Sequence, residues 1–449
     1  MKKRIRAHKT MIYATLLKML YRPGLAIFGL GYLPHFIARL GQTSDKKRLL
    51  LERFGYAPNH FENHEVVWIH AVSVGEVRAV SELVQLIKMA HPEIHIVLST
   101  TTPTGQNLAK QMESERLRAI YFPFDFSSAV KRMFNVIRPK CIIVMETEIW
   151  PNFITCASER GIPIGIINGR ISNRAFKRYL WVKPWFRELL EKLSFCLVRN
   201  EEDRSRFVSI GMPPGQIQVT GNMKFDVEAE GNPKEANRLR GTHGWKDNLV
   251  LVGGSTHEGE EAILMNAFKK LRTEFPNLKL VIAPRHVERS QQIMQLANQS
   301  RLKSVFASQK SNSEFDILIL DFVGILSAYY GIADLVFVGG SLVPHGGQNP
   351  IEPARERKVI FYGPHIFNFE DIYQKLNDSE AAVLVRDGDT FCDQAVSILK
   401  DRQRMRTIGE RAFQVVDQLK GATQRNLTVL EPWLKSSLHF QTTWNEHQR

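Results

Sequence analysis

Cys141-Ile142-Ile143-Val144-Met145-Glu146-Thr147-Glu148 runs five apolar residues straight into an acidic pair. A strand without polar alternation is buried on both faces, which marks a central strand of a parallel sheet. The same rhythm extends in both directions. Upstream, Val66-Val67-Trp68-Ile69 reads as a strand, and Val77, Val80, Leu83, Val84 and Ile87 then recur at helical spacing before the strand Ile94 to Leu98. Downstream, Pro151 suits the first turn of a helix, and Ile162 to Ile167 and Phe195 to Val198 continue the series. Strands alternating with amphipathic helices predict a doubly wound α/β domain.

Val227 to Asp247 breaks the pattern with Gly231, Pro233, Gly241 and Gly244 among polar residues, and reads as an interdomain connection. A second series follows, with strands at Leu249 to Val252, Leu278 to Ala283, Ile317 to Leu320, Leu335 to Val338 and Val359 to Tyr362. Two tandem α/β domains predict a cleft between them, a favoured ligand location. The length of 449 residues suits more than one domain. Hydrophobic residues at 43% and charged residues at 24% exclude a disordered chain and a polytopic membrane protein. Lys and Arg number 60 against 46 Asp and Glu, a net charge of +14. That balance favours an anionic partner: nucleic acid, an acidic membrane or a phosphorylated substrate. Cys141, Cys156, Cys196 and Cys392 are scattered, which argues against a zinc ribbon or disulfide scaffold and fits a reducing compartment.

Lys2, Lys3, Arg4, Arg6 and Lys9 precede an apolar stretch from Met11 to about Leu40. Its longest run free of Asp, Glu, Lys and Arg is Pro23 to Ala38, short of the roughly 20 residues a spanning helix needs. It reads as an element dipping into a bilayer with basic residues at anionic headgroups, or alternatively as a buried helical hairpin with a basic tail.

Ser73-Val74-Gly75-Glu76 lies between the first strand and its helix, where ligands sit in open α/β sheets. The same spacing is a capping box, so Glu76 has a functional and a structural reading. Glu146 and Glu148 end an apolar strand, either as functional carboxylates or as charges favoured at a helix N-terminus. Lys224, in Gly221-Asn222-Met223-Lys224-Phe225-Asp226, can meet developing negative charge or be a plain surface charge. In the second domain, Pro284-Arg285-His286 ends a buried strand, and Arg285 can hold a phosphate bidentately. The loop Pro344 to Pro353 carries Gly346 and Gly347, a Pro350 that can open a helix, and Glu352, which can accept from ribose hydroxyls. Asp387-Gly388-Asp389 resembles a metal-binding acidic pair but reads rather as a hairpin turn. Arg170, Arg174, Lys177, Arg178, Lys183, Arg187 and Lys192 interleave with Tyr179, Trp181, Trp185 and Phe186, a surface for nucleic acid or a phosphorylated lipid headgroup.

In order, these segments resemble the 3-deoxy-D-manno-octulosonic acid (Kdo) transferases of lipopolysaccharide synthesis, glycosyltransferase family 30. The matching segments are His70 to Glu76, Met145 to Asn152, Asn200 to Asp203, Ser255 to Glu261, Pro284 to His286, Val338 to Val343, Asn349 to Ala354 and Gly363 to His365. The resemblance implies a GT-B fold, two Rossmann-like domains facing a cleft with an N-terminal hydrophobic membrane anchor. Its divisions are the anchor at 1–38, an acceptor domain at 39–227, a CMP-Kdo domain at 228–425 and a tail at 426–449 that packs back on the N-terminal domain.

The implied reaction moves Kdo from CMP-Kdo onto a lipid A precursor, lipid IVA, with inversion, at the cytoplasmic face of the inner membrane and its anionic lipids. By the resemblance Glu76 is the proton acceptor, and Glu146 and Lys224 stabilise the transition state. CMP contacts fall on Pro284, Arg285, Gly324, Ile325, Leu326, Asn349, Pro350, Ile351 and Glu352. Ile325 stands where the family usually has Glu, so a side-chain contact there is in doubt and backbone contacts are not. The scheme needs no cofactor, no metal and no nucleic acid. The alternatives are a GT-B transferase for another nucleotide sugar and a noncatalytic membrane-surface or nucleic-acid-binding protein. The strand-end carboxylates argue against the latter, because they repel polyanions.

Overall fold

A computed structural model of the chain describes residues 15–17, 19–21, 23–25, 31, 45–58, 62, 64–226, 233–309 and 314–435. The chain divides into two compact units, one formed by 1–227 with 420–449 and the other by 228–419. The return to unit 1 thus begins at 420, where the sequence reading sets 426.

Unit 1 holds a seven-stranded, wholly parallel sheet in the order β3-β2-β1-β4-β5-β6-β7. Its strands are β1 Val66–His70, β2 His95–Thr100, β3 Leu117–Tyr121, β4 Pro139–Met145, β5 Ile164–Gly169, β6 Phe195–Val198 and β7 Ile217–Val219. Every residue of β4 is buried, as the apolar run predicts. Successive side chains leave a strand on opposite faces. Ile142 and Val144 accordingly join Trp68, Phe134 and Phe153 in one apolar cluster, while Cys141, Ile143 and Met145 join Val67, Ile69 and Leu83 in another. The helix Ala422–Lys435 covers the second face with Leu427, Leu430 and Leu434. β1 and β4 run side by side with Ile69 opposite Ile143, although β2 and β3 intervene in sequence. The strand order reverses between them, and loops leaving that point diverge to leave a crevice.

Unit 2 repeats the design with the order β10-β11-β9-β8-β12-β13-β14, again wholly parallel. Its strands are β8 Leu249–Thr256, β9 Leu278–Pro284, β10 Ser304–Phe306, β11 Ile317–Ile319, β12 Leu335–Val338, β13 Val359–Tyr362 and β14 Val383–Leu384. The reversal here falls between β8 and β12. Gly339 makes the close approach possible, since a Cβ there would sit 2.4 Å from the Ser255 carbonyl oxygen.

Three expectations change. The connection Val227 to Asp247 contains a helix, Pro233–Thr242, that belongs to unit 2. Asp387-Gly388-Asp389 is no hairpin turn: Asp387 is the N-cap of the helix Gly388–Lys400, in a capping box with Thr390. In the basic-aromatic segment, helices Asn173–Trp181 and Lys183–Leu190 turn Trp185 and Phe186 into the core, and Tyr179 stacks on Phe186. Trp181 alone of the four aromatics is exposed, which removes the interleaved stacking platform a nucleic acid would need. The basic residues 2–9 and most of the stretch from Met11 to Leu40 lie outside the described residues. Among the described residues no helix is long and apolar enough to cross a membrane. The four cysteines are free and buried.

Candidate active site

The reversal point of unit 1 gathers three carboxylates and a lysine. Glu76 stands in the first turn of the helix Val74–Ala90, which follows β1. Its side chain accepts from the Val72 N–H at 2.8 Å and from the Ser73 hydroxyl at 3.1 Å. Ser73 makes no return bond to the helix, so the reciprocal capping box is not formed. Burial, followed by the nearby charge of Glu146, pushes the Glu76 carboxyl up to about 7. A carboxyl so placed can take a proton near neutral pH.

Glu146 follows β4 with a φ of 55°, a left-handed conformation that non-glycine residues rarely adopt. Its N–H remains tied to the Ile167 carbonyl at 3.0 Å, so the turn occurs right at the carboxyl end of β4 and re-aims the side chain. Lys224 Nζ meets Glu146 Oε1 at 2.8 Å. Burial raises this carboxyl, but Lys224, then Arg170 and Arg199, outweigh it and hold Glu146 below the usual carboxylate range. Lys224 is itself positioned: buried Asn168 accepts from the Met223 N–H at 3.0 Å, and Asn222 accepts from the Lys224 N–H at 3.1 Å.

Glu148, to which the sequence reading assigns no individual role, joins this group. Burial, then the charges of Glu76 and Glu146, push it up to about 7, while the Trp150 indole N–H donates to it at 2.9 Å. Its place in the acidic pair that ends β4, within the family-like segment Met145 to Asn152, is the sequence signal for it. His70 and Asp203, both in family-like segments, are structural. The His70 ring stacks on Phe122 and is held neutral by burial, and Asp203 takes Arg199 and the Ile171 N–H.

At the reversal point of unit 2, Glu260 is fully buried and accepts four backbone N–H groups, from His257, Gly340, Ser341 and Leu342. It thereby shapes the loops after β8 and β12. Pro284 ends β9, and the following Arg285 anchors its N–H on the Thr256 carbonyl at 2.9 Å while its side chain is exposed. Asn349 accepts from the Ile351 N–H at 3.0 Å and donates to Glu352 at 3.1 Å. Pro350 caps only a five-residue helix, Ile351–Arg355. Gly324, at φ 98°, and Ile325 precede the helix Leu326–Ile332, with Ile325 at its N-cap and half-exposed. Unit 1 thus brings Glu76, Glu146 and Lys224 together, while Arg285 and the Asn349–Glu352 segment follow β9 and β12 in unit 2. Among the described residues no group of three His, Cys, Asp or Glu could hold a metal ion.

Two parallel-sheet α/β domains of this kind resemble those of the GT-B glycosyltransferases. The chain is similar in fold to a glycosyltransferase from Rickettsia africae, over 84% of this chain and 100% of that one, at 13% identity and a TM-score of 0.58. Residues 48–227 match the 3-deoxy-D-manno-octulosonic-acid transferase (kdotransferase) domain. The 3-deoxy-D-manno-octulosonic acid transferase of Haemophilus influenzae is 32% identical over 410 residues, 90% of this chain and 96% of its own length. That of Bordetella pertussis is 32% identical over 82% of this chain and 87% of its own. The chain belongs to the Kdo transferase family and is a glycosyltransferase.

Proposed function

We propose that the protein transfers Kdo from CMP-Kdo to the lipid A precursor lipid IVA, inverting the anomeric centre, in lipopolysaccharide synthesis. One observation carries the reading: a buried, doubly hydrogen-bonded Glu76, pushed up to about 7, beside a Glu146–Lys224 ion pair at the reversal point of a Rossmann-like sheet. Glu76 takes the proton of the acceptor hydroxyl as that oxygen bonds to the anomeric carbon. The bond from that carbon to the phosphate oxygen breaks on the opposite face, and CMP leaves with its electron pair. Glu146 stays charged and holds Lys224, whose ammonium meets negative charge that develops near the donor as CMP departs.

On unit 2, Arg285 holds the phosphodiester, Glu352 accepts from ribose, and Pro284, Asn349, Pro350 and Ile351 line the nucleotide. Gly324, Ile325 and Leu326 contribute backbone groups, a role that Ile in place of Glu does not disturb.

The N-terminal segment serves as an anchor on the anionic cytoplasmic face of the inner membrane. Tyr21 supports this: its hydroxyl donates to Asp125 at 2.6 Å, while nearby Leu16, Met19 and Leu20 stay exposed. Deleting residues 1–38 is expected to abolish flotation with anionic vesicles while CMP binding persists. For the reaction itself, incubation with CMP-Kdo and lipid IVA should yield lipid heavier by whole Kdo units and an equal amount of CMP. Hydrolysis of CMP-Kdo without lipid product, or equal transfer from another nucleotide sugar, would sink the proposal.

A further inference from the structure

The reversal point of unit 2 carries a group that the nucleotide does not explain. His257 follows β8, His286 follows β9, and His345 sits in the loop after β12. The rings of His257 and His345 stack at 4.2 Å and 15°, and His286 lies edge-on to His257 at 6.0 Å. The exposed Arg285 is next to His286.

The two buried carboxylates beside this group are already engaged, while Glu258 and Glu288, within two residues of His257 and His286 in sequence, are exposed. Glu260 is saturated by four backbone N–H groups, and Glu261 is taken by Arg289 at 2.8 Å and by the Thr256 hydroxyl at 3.0 Å. Gln348, the remaining partner of His257, is neutral. Burial first, then His345, His286, Arg285 and Arg289, push the His257 imidazole down to about 4, which keeps it neutral. An arriving anion would reverse that balance and draw in a proton.

Resting on the proposed donor, we infer that His257, His286 and His345 form an anion subsite for the carboxylate of the Kdo sugar, beside the phosphodiester held by Arg285. An ulosonic acid carries its carboxylate on the anomeric carbon itself, one bond from the atom that bears the phosphate oxygen. Adjacent subsites for two anions, one beside Arg285 and one among the imidazoles, match that chemistry. Binding through an imidazole that gains its proton from solvent makes the affinity for this donor weaken as pH rises.

Calorimetry without acceptor tests this with three probes: CMP, CMP-Kdo, and CMP-Kdo whose sugar carboxylate is a carboxamide. The wild type should bind CMP-Kdo about tenfold or more tightly than the carboxamide at pH 6, the scale of a charge-assisted hydrogen bond, and by less at pH 8. His257→Gln/His345→Gln should bring that ratio to within about twofold of one, with CMP affinity changed by no more than that. Should the double variant fail to fold, His345→Gln alone, at an exposed position, should at least halve the ratio. A ratio unchanged in the variants, an equal loss for all three probes, or a wild-type ratio near one would overturn the subsite while leaving the CMP reading intact. A wild type that binds no CMP would instead overturn the donor reading, and the subsite with it.

Discussion

At the scale of single residues, Glu76 shows why spacing alone left two readings open. Ser73-x-x-Glu76 has the letters of a capping box, yet neither half forms: Glu76 accepts from the Val72 N–H and from the Ser73 hydroxyl, and Ser73 gives the helix no bond. The distinction depends on a hydroxyl rotamer and on the neighbouring Glu146, which arrives from a strand 70 residues away in sequence and is invisible to local pattern. Glu76 lies at about 7 against an ordinary value of 4.5, so its stability contribution is complete below about pH 4.5 and lost as pH rises through 7. Above pH 7 the wild type carries a buried carboxylate that Glu76→Gln does not. The variant should therefore match wild type near pH 4.5 and exceed it by about 1–3 kcal/mol at pH 8, read as melting temperature across pH. Transfer should fall by about 10²–10⁴ at the same time, since an amide takes no proton. Loss of stability at pH 8 with transfer intact would return Glu76 to a capping role. Lys224→Met offers a separate check. Lys224 lowers both Glu76 and Glu146, so its loss should shift the acid limb of the rate–pH profile upward as well as reduce the rate. A limb that stays in place would detach Lys224 from the base.

At the scale of elements, the strands that the sequence hides share a position in the sheet. The apolar runs at β1, β4, β8, β9 and β12 lie inside their sheets, where both faces are covered. The strands that pattern reading did not find, β3, β10 and β14, are all at sheet edges. An edge strand pairs on one side only and tolerates residues such as Arg118, or a length of two or three, that erase the signal. Glu260 was hidden for a related reason: Glu in the first turn of a helix is ordinary, and only the fold brings the loop after β12 onto it. That loop depends on it heavily. Glu260→Ala leaves four backbone donors without their acceptor, so unit 2 should lose about 3 kcal/mol or more and CMP affinity should drop with it. Thermal unfolding with and without CMP checks this; a variant with wild-type melting and CMP response would mean the loop finds other acceptors.

At the scale of the whole molecule, the two units are not consecutive pieces of chain, because residues 420–435 complete unit 1 after unit 2 has been built. The helix Ala422–Lys435 is moored at several points. Asp226 accepts from the Gly421 N–H at 2.6 Å, Asn426 donates to the Thr220 hydroxyl at 3.0 Å, and Lys140 donates to the Leu434 carbonyl at 2.9 Å. Leu427, Leu430 and Leu434 are buried against the same face of the sheet as Val67, Ile69 and Ile143. Burying a leucine contributes about 1.5–3 kcal/mol, so these three together reach roughly 5–9 kcal/mol. That is comparable with the whole stability of a domain, about 5–15 kcal/mol. A chain ending at Leu419 should therefore lose the cooperative unfolding of unit 1, and Kdo transfer with it. Unit 2 keeps all of its strands and should still be stabilised by CMP. Calorimetric scans of the truncated chain with and without CMP decide the matter: one CMP-responsive transition is expected. Wild-type transfer by the truncated chain would show that the returning helix is dispensable to the acceptor-side sheet.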